Sequence, residues 1–275
     1  MSYTKGEASI SKLLYYKTMN NIRVSTFSTL LCLSTLVHTT IMAQQIDSAQ
    51  KEPSADYFKP VKIKNFIVPA AFLGYGFAAL HNPKLTELDR STNAELREDH
   101  PSFAFPADNY LRYAPAVAVY ALDLAGIKSK HNFVDRTALL LISGAISTNT
   151  SDYLKGAVHR LRPNGSNYRS FPSGHSSMAF MTAEFFHQEY GDRSIWYSVA
   201  GYAAATATGT LRLYNGAHWF SDVVAGAGIG IASTRISYLI YPYLKKAIVG
   251  KKAQHTTLIP TWTPGNTGLV FVSSF

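Results

Sequence analysis

Three polar blocks within residues 155–222 constrain this chain most, because they stand at the ends of long apolar stretches. They are KGAVHRLRP at 155–163, PSGH at 172–175 and RLYNGAHWFSD at 212–222. Only 16% of the chain is charged and 47% is hydrophobic, so blocks that gather cations, histidines and a carboxylate stand out. Such a set can hold a phosphate and attack it with a histidine.

In the first block, Lys155 and Arg162 are seven residues apart. On a helix this spacing places both cations on one face, two turns apart. Pro163 is expected to end that helix, because proline donates no backbone hydrogen bond. His159 and Arg160 would point away from this face, so they are left outside the predicted catalytic set. They could form a solvated basic face or a patch for lipid headgroups.

The second block combines turn residues with the start of an apolar run. Ser173 can cap a helix that begins here, which places backbone N–H groups and His175 at the positive end of the helix. A histidine near a turn is more often a solvated cap than a catalyst. Alone, therefore, this block does not indicate an enzyme.

In the third block, His218 and Asp222 are four residues apart, so one helix face can hold both. The carboxylate is expected to accept a hydrogen bond from one ring nitrogen, which leaves the other nitrogen free as a nucleophile. Arg212 is expected in the loop that enters this helix, within reach of the same anion. Taken alone, the histidine and the carboxylate could be an ordinary helical pair.

Together the blocks resemble the signature of the type 2 phosphatidic acid phosphatase family, which also includes bacterial non-specific acid phosphatases and the vanadium haloperoxidases. The resemblance runs from residue 152 to about residue 243 and departs from the family pattern once, at Leu211, where the family usually has serine. Three spaced blocks in the right order are a strong signal, whereas PSGH alone would be weak. The chain matches the pattern at Lys155, Arg162, Pro163, Pro172, Ser173, Gly174, His175, Arg212, His218 and Asp222.

The resemblance implies a role for each matched residue. His218 attacks phosphorus and becomes a phosphohistidine, Asp222 orients it, and His175 protonates the leaving oxygen and then activates water. Phosphoryl transfer requires mainly positioning and charge stabilisation, so neither a metal ion nor another cofactor is predicted. Phosphate binding falls to Lys155, Arg162, Ser173, Gly174 and Arg212.

The implied activity is the hydrolysis of lipid phosphates, such as phosphatidic acid, phosphatidylglycerol phosphate, an isoprenoid pyrophosphate or the phosphates of lipid A. A soluble periplasmic acid phosphatase acting on small phosphomonoesters is the alternative. Vanadium-dependent halide oxidation is less favoured, because the chain lacks the large insertions of the haloperoxidases. A structural role without catalysis is the remaining alternative. No clustered basic run indicates nucleic acid as a partner.

Residues 1–43 have the features of an export signal. Cations precede an uncharged apolar stretch at residues 24–42, and Ala43 offers a small residue for cleavage. A start at Met19 would give a signal of ordinary length, and a retained membrane anchor is the alternative. The one cysteine, Cys32, lies in this segment. An export signal places the enzyme in a bacterial cell envelope with its site facing the periplasm, and membrane association is favoured over a soluble periplasmic form.

The rest of the chain predicts an all-α fold: a six-helix bundle with the phosphate site at helix ends, followed by a short C-terminal β-like tail. The predicted parts are a linker at 44–64, one phosphatase domain at 65–246 and the tail at 247–275, in which 258–262 and 269–272 can pair. The helices are expected at residues 65–80, 113–126, 134–161, 173–191, 194–209 and 217–246. Residues 81–110 are expected to form a long polar connection.

Two segments, 65–83 and 194–211, are long enough to span a bilayer, which needs about 17 to 20 apolar residues. Charged side chains interrupt the other apolar stretches. The interrupting residues are Asp123, Glu184, Glu189 and Arg235.

Overall fold

The computed structural model describes residues 61–249, 256–263 and 266–273. The predicted export signal at 1–43 lies outside the described residues. A 3-10 turn, Ile63–Phe66, precedes eight α-helices, so the all-α prediction is confirmed, whereas the predicted count of six helices is too low for the described part of the chain. The helices are α1 (Ile67–Ala79), α2 (Pro83–Asp99), α3 (Asp108–Leu111), α4 (Ala114–Leu124), α5 (Phe133–Val158), α6 (Gly174–Tyr190), α7 (Ile195–Tyr214) and α8 (Phe220–Val249).

Helices α2 and α3 occupy the segment that was expected to be a polar connection, so that prediction is wrong. α2 begins at Pro83, where proline is favoured because the first helical residue needs no backbone N–H. The Asn82 side chain caps the helix by accepting bonds from the backbone N–H groups of Lys84 and Leu85, at 3.0 and 3.4 Å. One residue of this polar helix, Asp89, faces inward and is 1% exposed.

The start of α6 is held tightly against the start of α8. Eleven of the 17 residues of α6 are buried. A Cβ atom at Gly226 would lie 2.5 Å from the backbone oxygen of Ser173, and one at Gly230 would lie 2.6 Å from the backbone nitrogen of Met181. The Ser173 N–H also donates to the backbone oxygen of Asp222 at 3.0 Å. Glycine therefore allows the two helices that carry the second and third blocks to touch backbone to backbone.

The charged residues that interrupt the apolar helices are paired inside the fold. Glu184 is fully buried and lies 2.9 Å from Arg235 Nε. Asp123 lies 2.7 Å from Arg136 Nη2, and Glu189 accepts a bond from a backbone N–H at 3.0 Å. Pairing avoids the large cost of an isolated buried charge. Apolar side chains are exposed on the outer surface, among them Ile195, Trp196 and Val199.

By length and composition, one helix among the described residues could cross a membrane: Phe220–Ala247, although most of its apolar stretch is buried inside the fold. The bent pair Ile63–Ala79 and Pro83–Asp99, which meet at 91°, would supply a second span if they acted as one. The core helix of a soluble protein can have the same length and composition.

After α8, two strands form an antiparallel pair, β1 (Thr256–Thr263) and β2 (Asn266–Ser273). Thr256 is opposite Ser273 at one end and Thr263 is opposite Asn266 at the turn. Pro260 stands within β1. Both strands of a two-stranded sheet are edge strands. The outer side of each strand makes no hydrogen bonds within the sheet, so a proline that lacks an N–H on that side removes none.

Candidate active site

The first block lies at the end of α5 and in the loop beyond it. Lys155 is in the last turn of the helix and is 9% exposed. The helix ends at Val158, and His159 adopts a left-handed backbone conformation with φ of 49°, which cannot continue a right-handed helix. Arg162 therefore lies in the loop, not on a shared helix face. The predicted helix end at Pro163 is wrong.

Lys155 nevertheless reaches the second block. Its ammonium donates to the backbone oxygen of Pro172, and it lies 3.7 Å from the position that a Cβ atom would take at Gly174. Burial lowers the pKa of Lys155 to about 8, so the ammonium is still largely charged at neutral pH. At the same helix start, Ser173 Oγ accepts a bond from the Ser176 N–H at 3.3 Å, which confirms Ser173 as the cap.

Arg212 lies in the last turn of α7, which extends beyond its predicted end at residue 209 to Tyr214. The prediction of a loop position is therefore wrong. The guanidinium is paired with Asp108 of α3, with 2.5 Å between Nη1 and Oδ2. Its side chain is 11% exposed. The pairing fixes a nearly buried cation at the end of the helix.

His218 lies two residues before α8 begins, so it does not share a helix face with Asp222 as predicted. Its Nδ1 is 2.7 Å from the backbone oxygen of Ser170 but 3.8 Å from Asp222 Oδ2, which is too long for a hydrogen bond. A carbonyl oxygen can only accept, so Nδ1 carries the proton. The Ser170 carbonyl thus fixes the tautomer and leaves Nε2 as the basic nitrogen.

Asp222 is fully buried and is held by three donors. Arg160 Nη1 lies 2.7 Å from Oδ1. Ser170 Oγ and the Trp219 N–H lie 2.5 and 2.9 Å from Oδ2. Ser170 therefore contacts both the carboxylate, through its hydroxyl, and His218, through its carbonyl. Arg160, which was left outside the predicted set, contacts the carboxylate because α5 ends before it.

His175 stands in the first turn of α6 and is held from α3. Its Nε2 lies 2.8 Å from Asn109 Oδ1 and 3.9 Å from Asp108 Oδ2. An amide oxygen accepts, so this contact orients the ring with a proton on Nε2. The His175 side chain is 21% exposed, so a ligand can reach it.

Both histidines are neutral at pH 7 in this environment. Burial lowers the pKa of His218 to about 4; Arg212 and Arg162 act in the same direction and Asp222 opposes them. Burial lowers the pKa of His175 to about 3, and Arg212 again adds to the effect. A neutral His218 with a free Nε2 has the lone pair that a nucleophile needs.

Two buried donors at this site, within the part of the chain that the structure describes, have no hydrogen-bond partner: Nε of Arg162 and Nε of Arg212. Burial lowers the pKa of Arg162, and the positive charge of Arg212 lowers it further. An unpaired buried donor costs about 1–3 kcal/mol, and an anionic ligand would pair both. Among residues 61–249, no group of three His, Cys, Asp or Glu side chains is placed to hold a metal ion.

Five residues that support the site were missed in the sequence. Their contacts join segments far apart in the chain, 71 residues for Arg160 with Asp89 and 66 for His175 with Asn109, and no local spacing predicts them. Of these residues, only Arg160 could have been found in the sequence, because it lies inside the first block. It was excluded because the helix was expected to continue past it. The missed residues are Asp89, Asp108, Asn109, Arg160 and Ser170.

The family model described as the PAP2 superfamily matches residues 136–246. This segment is a PAP2 domain. The match takes in all three blocks, which confirms the resemblance found in the sequence. Helices α5 to α8, which carry those blocks, thus form the matched part of the fold, whereas α2 and α3 lie upstream of it.

The relatives of the PAP2 domain include a lipid A 1-phosphatase from Porphyromonas gingivalis. It is 39% identical over 145 residues, which is 50% of this chain and 32% of that protein. The present chain thus spans about a third of the length of the curated relative that it matches.

Two crystal structures are also similar to this chain. Aquifex aeolicus LpxE is 24% identical, with a TM-score of 0.40 over 52% of this chain and 92% of that one. The first transmembrane PAP2 type phosphatidylglycerolphosphate phosphatase from Bacillus subtilis is 16% identical, with a TM-score of 0.44 over 65% of this chain and 96% of that one.

Proposed function

We propose that this chain is a metal-independent phosphatase that cleaves phosphate esters through a phosphohistidine intermediate. The observation that carries the proposal is the pair of unpartnered Nε–H groups on Arg162 and Arg212 beside His218, whose Nε2 is free for attack. The two cations lie close enough to His218 to lower its pKa. They can therefore pair with phosphoryl oxygens while the ring attacks.

In the first step, Nε2 of His218 attacks phosphorus and the ester P–O bond breaks. His175 gives a proton to the leaving oxygen. Since its pKa is about 3 without a ligand, His175 acquires this proton together with the dianionic substrate, whose charge offsets the repulsion from Arg212. Lys155 and the Gly174 N–H at the start of α6 complete the anion site, with Ser173 as the cap.

In the second step, a water molecule transfers a proton to His175 and attacks phosphorus. The P–N bond then breaks, inorganic phosphate leaves, and His218 returns to its neutral form. The phosphorylated ring, protonated at Nδ1, carries a positive charge in between. Asp222, 3.8 Å from that nitrogen, stabilises this charge.

The proposed substrates are lipid phosphates, with the phosphates of lipid A first among them. The relative at 39% identity, named a lipid A 1-phosphatase, supports this choice. Exposed aromatic side chains beside the site also support it: Phe105 and Tyr110, 54% and 78% exposed, flank the residues that hold His175 and Arg212. Such side chains suit acyl chains or a membrane surface.

We place the enzyme in the bacterial envelope, membrane-associated, with its site on the periplasmic side. The inward pairing of Glu184 with Arg235 and the exposed apolar residues of α7 support contact with lipid. The alternative is a soluble periplasmic acid phosphatase. Its test is solubility after detergent removal, together with a preference for small phosphomonoesters.

Phosphate release from the purified full chain in detergent tests the proposal. The panel contains lipid A, phosphatidic acid, phosphatidylglycerol phosphate, an isoprenoid pyrophosphate and p-nitrophenyl phosphate, with and without EDTA. We expect a lipid phosphate to give the highest kcat/KM and EDTA to have no effect. His218→Ala should abolish turnover, whereas His81→Ala, at an exposed histidine, should not.

Full activity of His218→Ala would contradict the nucleophile assignment. Loss of activity in EDTA, restored by a divalent metal, would contradict the metal-independent mechanism. An acid-labile, base-stable phosphoenzyme from a radiolabelled substrate would support the phosphohistidine directly.

A further inference from the structure

Arg160 joins two buried carboxylates, Asp89 and Asp222, that are far apart in the sequence. Its Nη1 lies 2.7 Å from Asp222 Oδ1, and its Nη2 lies 2.7 Å from Asp89 Oδ2. Asp89 in turn accepts bonds from the N–H and the hydroxyl of Ser221, at 2.8 and 2.5 Å. We call this closed set, Arg160 with Asp89, Ser221 and Asp222, the Arg160 clamp.

The burial and the contacts of the clamp fix the positions of its side chains. Asp89 and Asp222 are 1% and 0% exposed, and the Arg160 side chain is 15% exposed. The guanidinium also lies over the Trp219 ring, 5.5 Å from its centroid. A planar guanidinium can bridge several acceptors at fixed angles, which a lysine ammonium cannot do.

The clamp is connected to the reacting ring through one residue. Ser170 Oγ donates to Asp222 Oδ2 at 2.5 Å, and the Ser170 carbonyl accepts from His218 Nδ1 at 2.7 Å. A shift of the carboxylate would therefore shift Ser170 and rotate the imidazole. Nothing in this set places Arg160 against the phosphate, since its two Nη groups are occupied by carboxylates and the Ser221 hydroxyl.

We infer that Arg160 is a positioning residue: with Asp89 it fixes Asp222, and through Ser170 it fixes the angle at which His218 attacks. The inference rests on the proposed function and adds to it a residue of α2, outside the matched PAP2 segment. Misplacement of a reacting group by about 1 Å lowers rates by about 100-fold. The effect belongs to kcat, because the cations that bind the phosphate are not in the clamp.

The first test compares Arg160→Gln with the full-length wild type, and with Arg90→Gln as a control at the exposed arginine next to Asp89. We expect Arg160→Gln to lower kcat by about 100-fold with KM nearly unchanged, and Arg90→Gln to behave as wild type. A wild-type kcat for Arg160→Gln would overturn the inference. If that variant fails to fold, Asp89→Asn is judged by the same criteria; if neither folds, the clamp is structural and the inference is wrong.

Chemical rescue gives an independent readout. A cavity of about 450 Å³ opens onto Arg160, with Phe77, Leu80 and Val158 in its walls. In Arg160→Ala, guanidinium ions can enter from this cavity and occupy the same acceptors. Millimolar guanidinium should raise kcat of Arg160→Ala several-fold, and ammonium should not. Equal responses to the two cations would count against positioning by a planar bridge.

Anion binding separates failure of this inference from failure of the proposed function. Sulfate binds through the cations alone, whereas vanadate can also bond to the ring nitrogen of His218. By calorimetry, Arg160→Gln should bind vanadate more weakly and sulfate as well as wild type does. If wild type has no turnover but this difference appears, the proposed function fails and the clamp stands. If Arg160→Gln weakens the binding of vanadate and of sulfate equally, the inference about the clamp is overturned.

Discussion

The ring Nδ1 of His218 lies 2.7 Å from the backbone oxygen of Ser170. A main-chain carbonyl, rather than a carboxylate, therefore holds the proton on one side of the ring. No side-chain substitution removes that carbonyl. The tautomer that the proposed attack by Nε2 requires therefore depends on the position of Ser170, whose N–H donates to the Arg160 backbone oxygen and whose hydroxyl donates to Asp222.

Asp222→Asn is expected to weaken catalysis without abolishing it. The carboxylate stabilises the charged ring from 3.8 Å, and losing one such electrostatic contact lowers kcat on the order of 100-fold. Where a carboxylate directly fixes the tautomer of a catalytic histidine, amidation costs about 10⁴-fold in kcat. Steady-state measurement of kcat distinguishes these two losses, and Asp99→Asn, at an exposed aspartate, is the control. A loss near 10⁴-fold would mean that the carboxylate sets the tautomer.

Asn109→Ala should reduce the efficiency of His175 as an acid. The amide oxygen, 2.8 Å from Nε2, orients the ring, and a misoriented general acid loses part of a contribution that is typically 10²–10⁴-fold. We expect kcat to fall about tenfold for substrates with poor leaving groups and much less for p-nitrophenyl phosphate, whose leaving group needs little protonation. Asn149→Ala, at an exposed position of α5, is the control. An equal loss for both substrate types would argue against a role in proton transfer.

Acidification should destabilise the folded chain through His218. The pKa of His218 is lowered by burial from 6.5 to about 4. Between these values the unfolded state binds a proton that the folded state does not, so stability falls as pH drops through this window and its His218 component levels off below it. The loss is on the order of 3 kcal/mol. Thermal unfolding at pH 7 and pH 4.5 measures it.

In that experiment His218→Gln should narrow the difference in Tm between the two pH values. His81→Gln, at an exposed histidine, should leave the difference unchanged. The same pH dependence in wild type and His218→Gln would mean that His218 does not carry the effect.

Two glycine substitutions should have opposite effects on stability. In Gly230→Ala the new methyl carbon would lie 2.6 Å from the Met181 backbone nitrogen, so α8 must move away from α6 at a cost of about 1–3 kcal/mol. In Gly144→Ala the nearest atom is 3.8 Å away, and alanine in a helix interior is favoured by about 0.5–1 kcal/mol. Tm should fall for the first and rise for the second. A neutral Gly230→Ala would contradict the close helix contact.

Short-range spacing predicted much of the site. The cap at Ser173 was found because a capping residue and its helix are adjacent in sequence, and the three blocks were found because each is local. The helix ends were placed less well: α5 stops at Val158 because His159 turns left-handed, and nothing in KGAVHRLRP indicates that turn. The orientation of Arg160 was wrong for this reason alone.

The spacing of residues in the sequence could not predict the longer-range contacts. Asp89 lies in the segment 81–110 that was expected to be a polar connection, although Pro83 at a first helical position begins a helix there. Its partners, Arg160 and Ser221, are 71 and 132 residues away. Such pairings depend on how the helices pack, and a single sequence carries no periodicity that reports them.

The clamp also bears on where the functional unit begins. A fragment cut at residue 136, the start of the PAP2 match, would retain every motif residue yet lack Asp89 and Asp108, which pair with Arg160 and Arg212. Arg160 would then keep only Asp222 as a carboxylate partner, and Arg212 would lose the ion pair that fixes it. A fragment meant to keep the proposed site intact should therefore start upstream of Asn82, so that α2 keeps its cap.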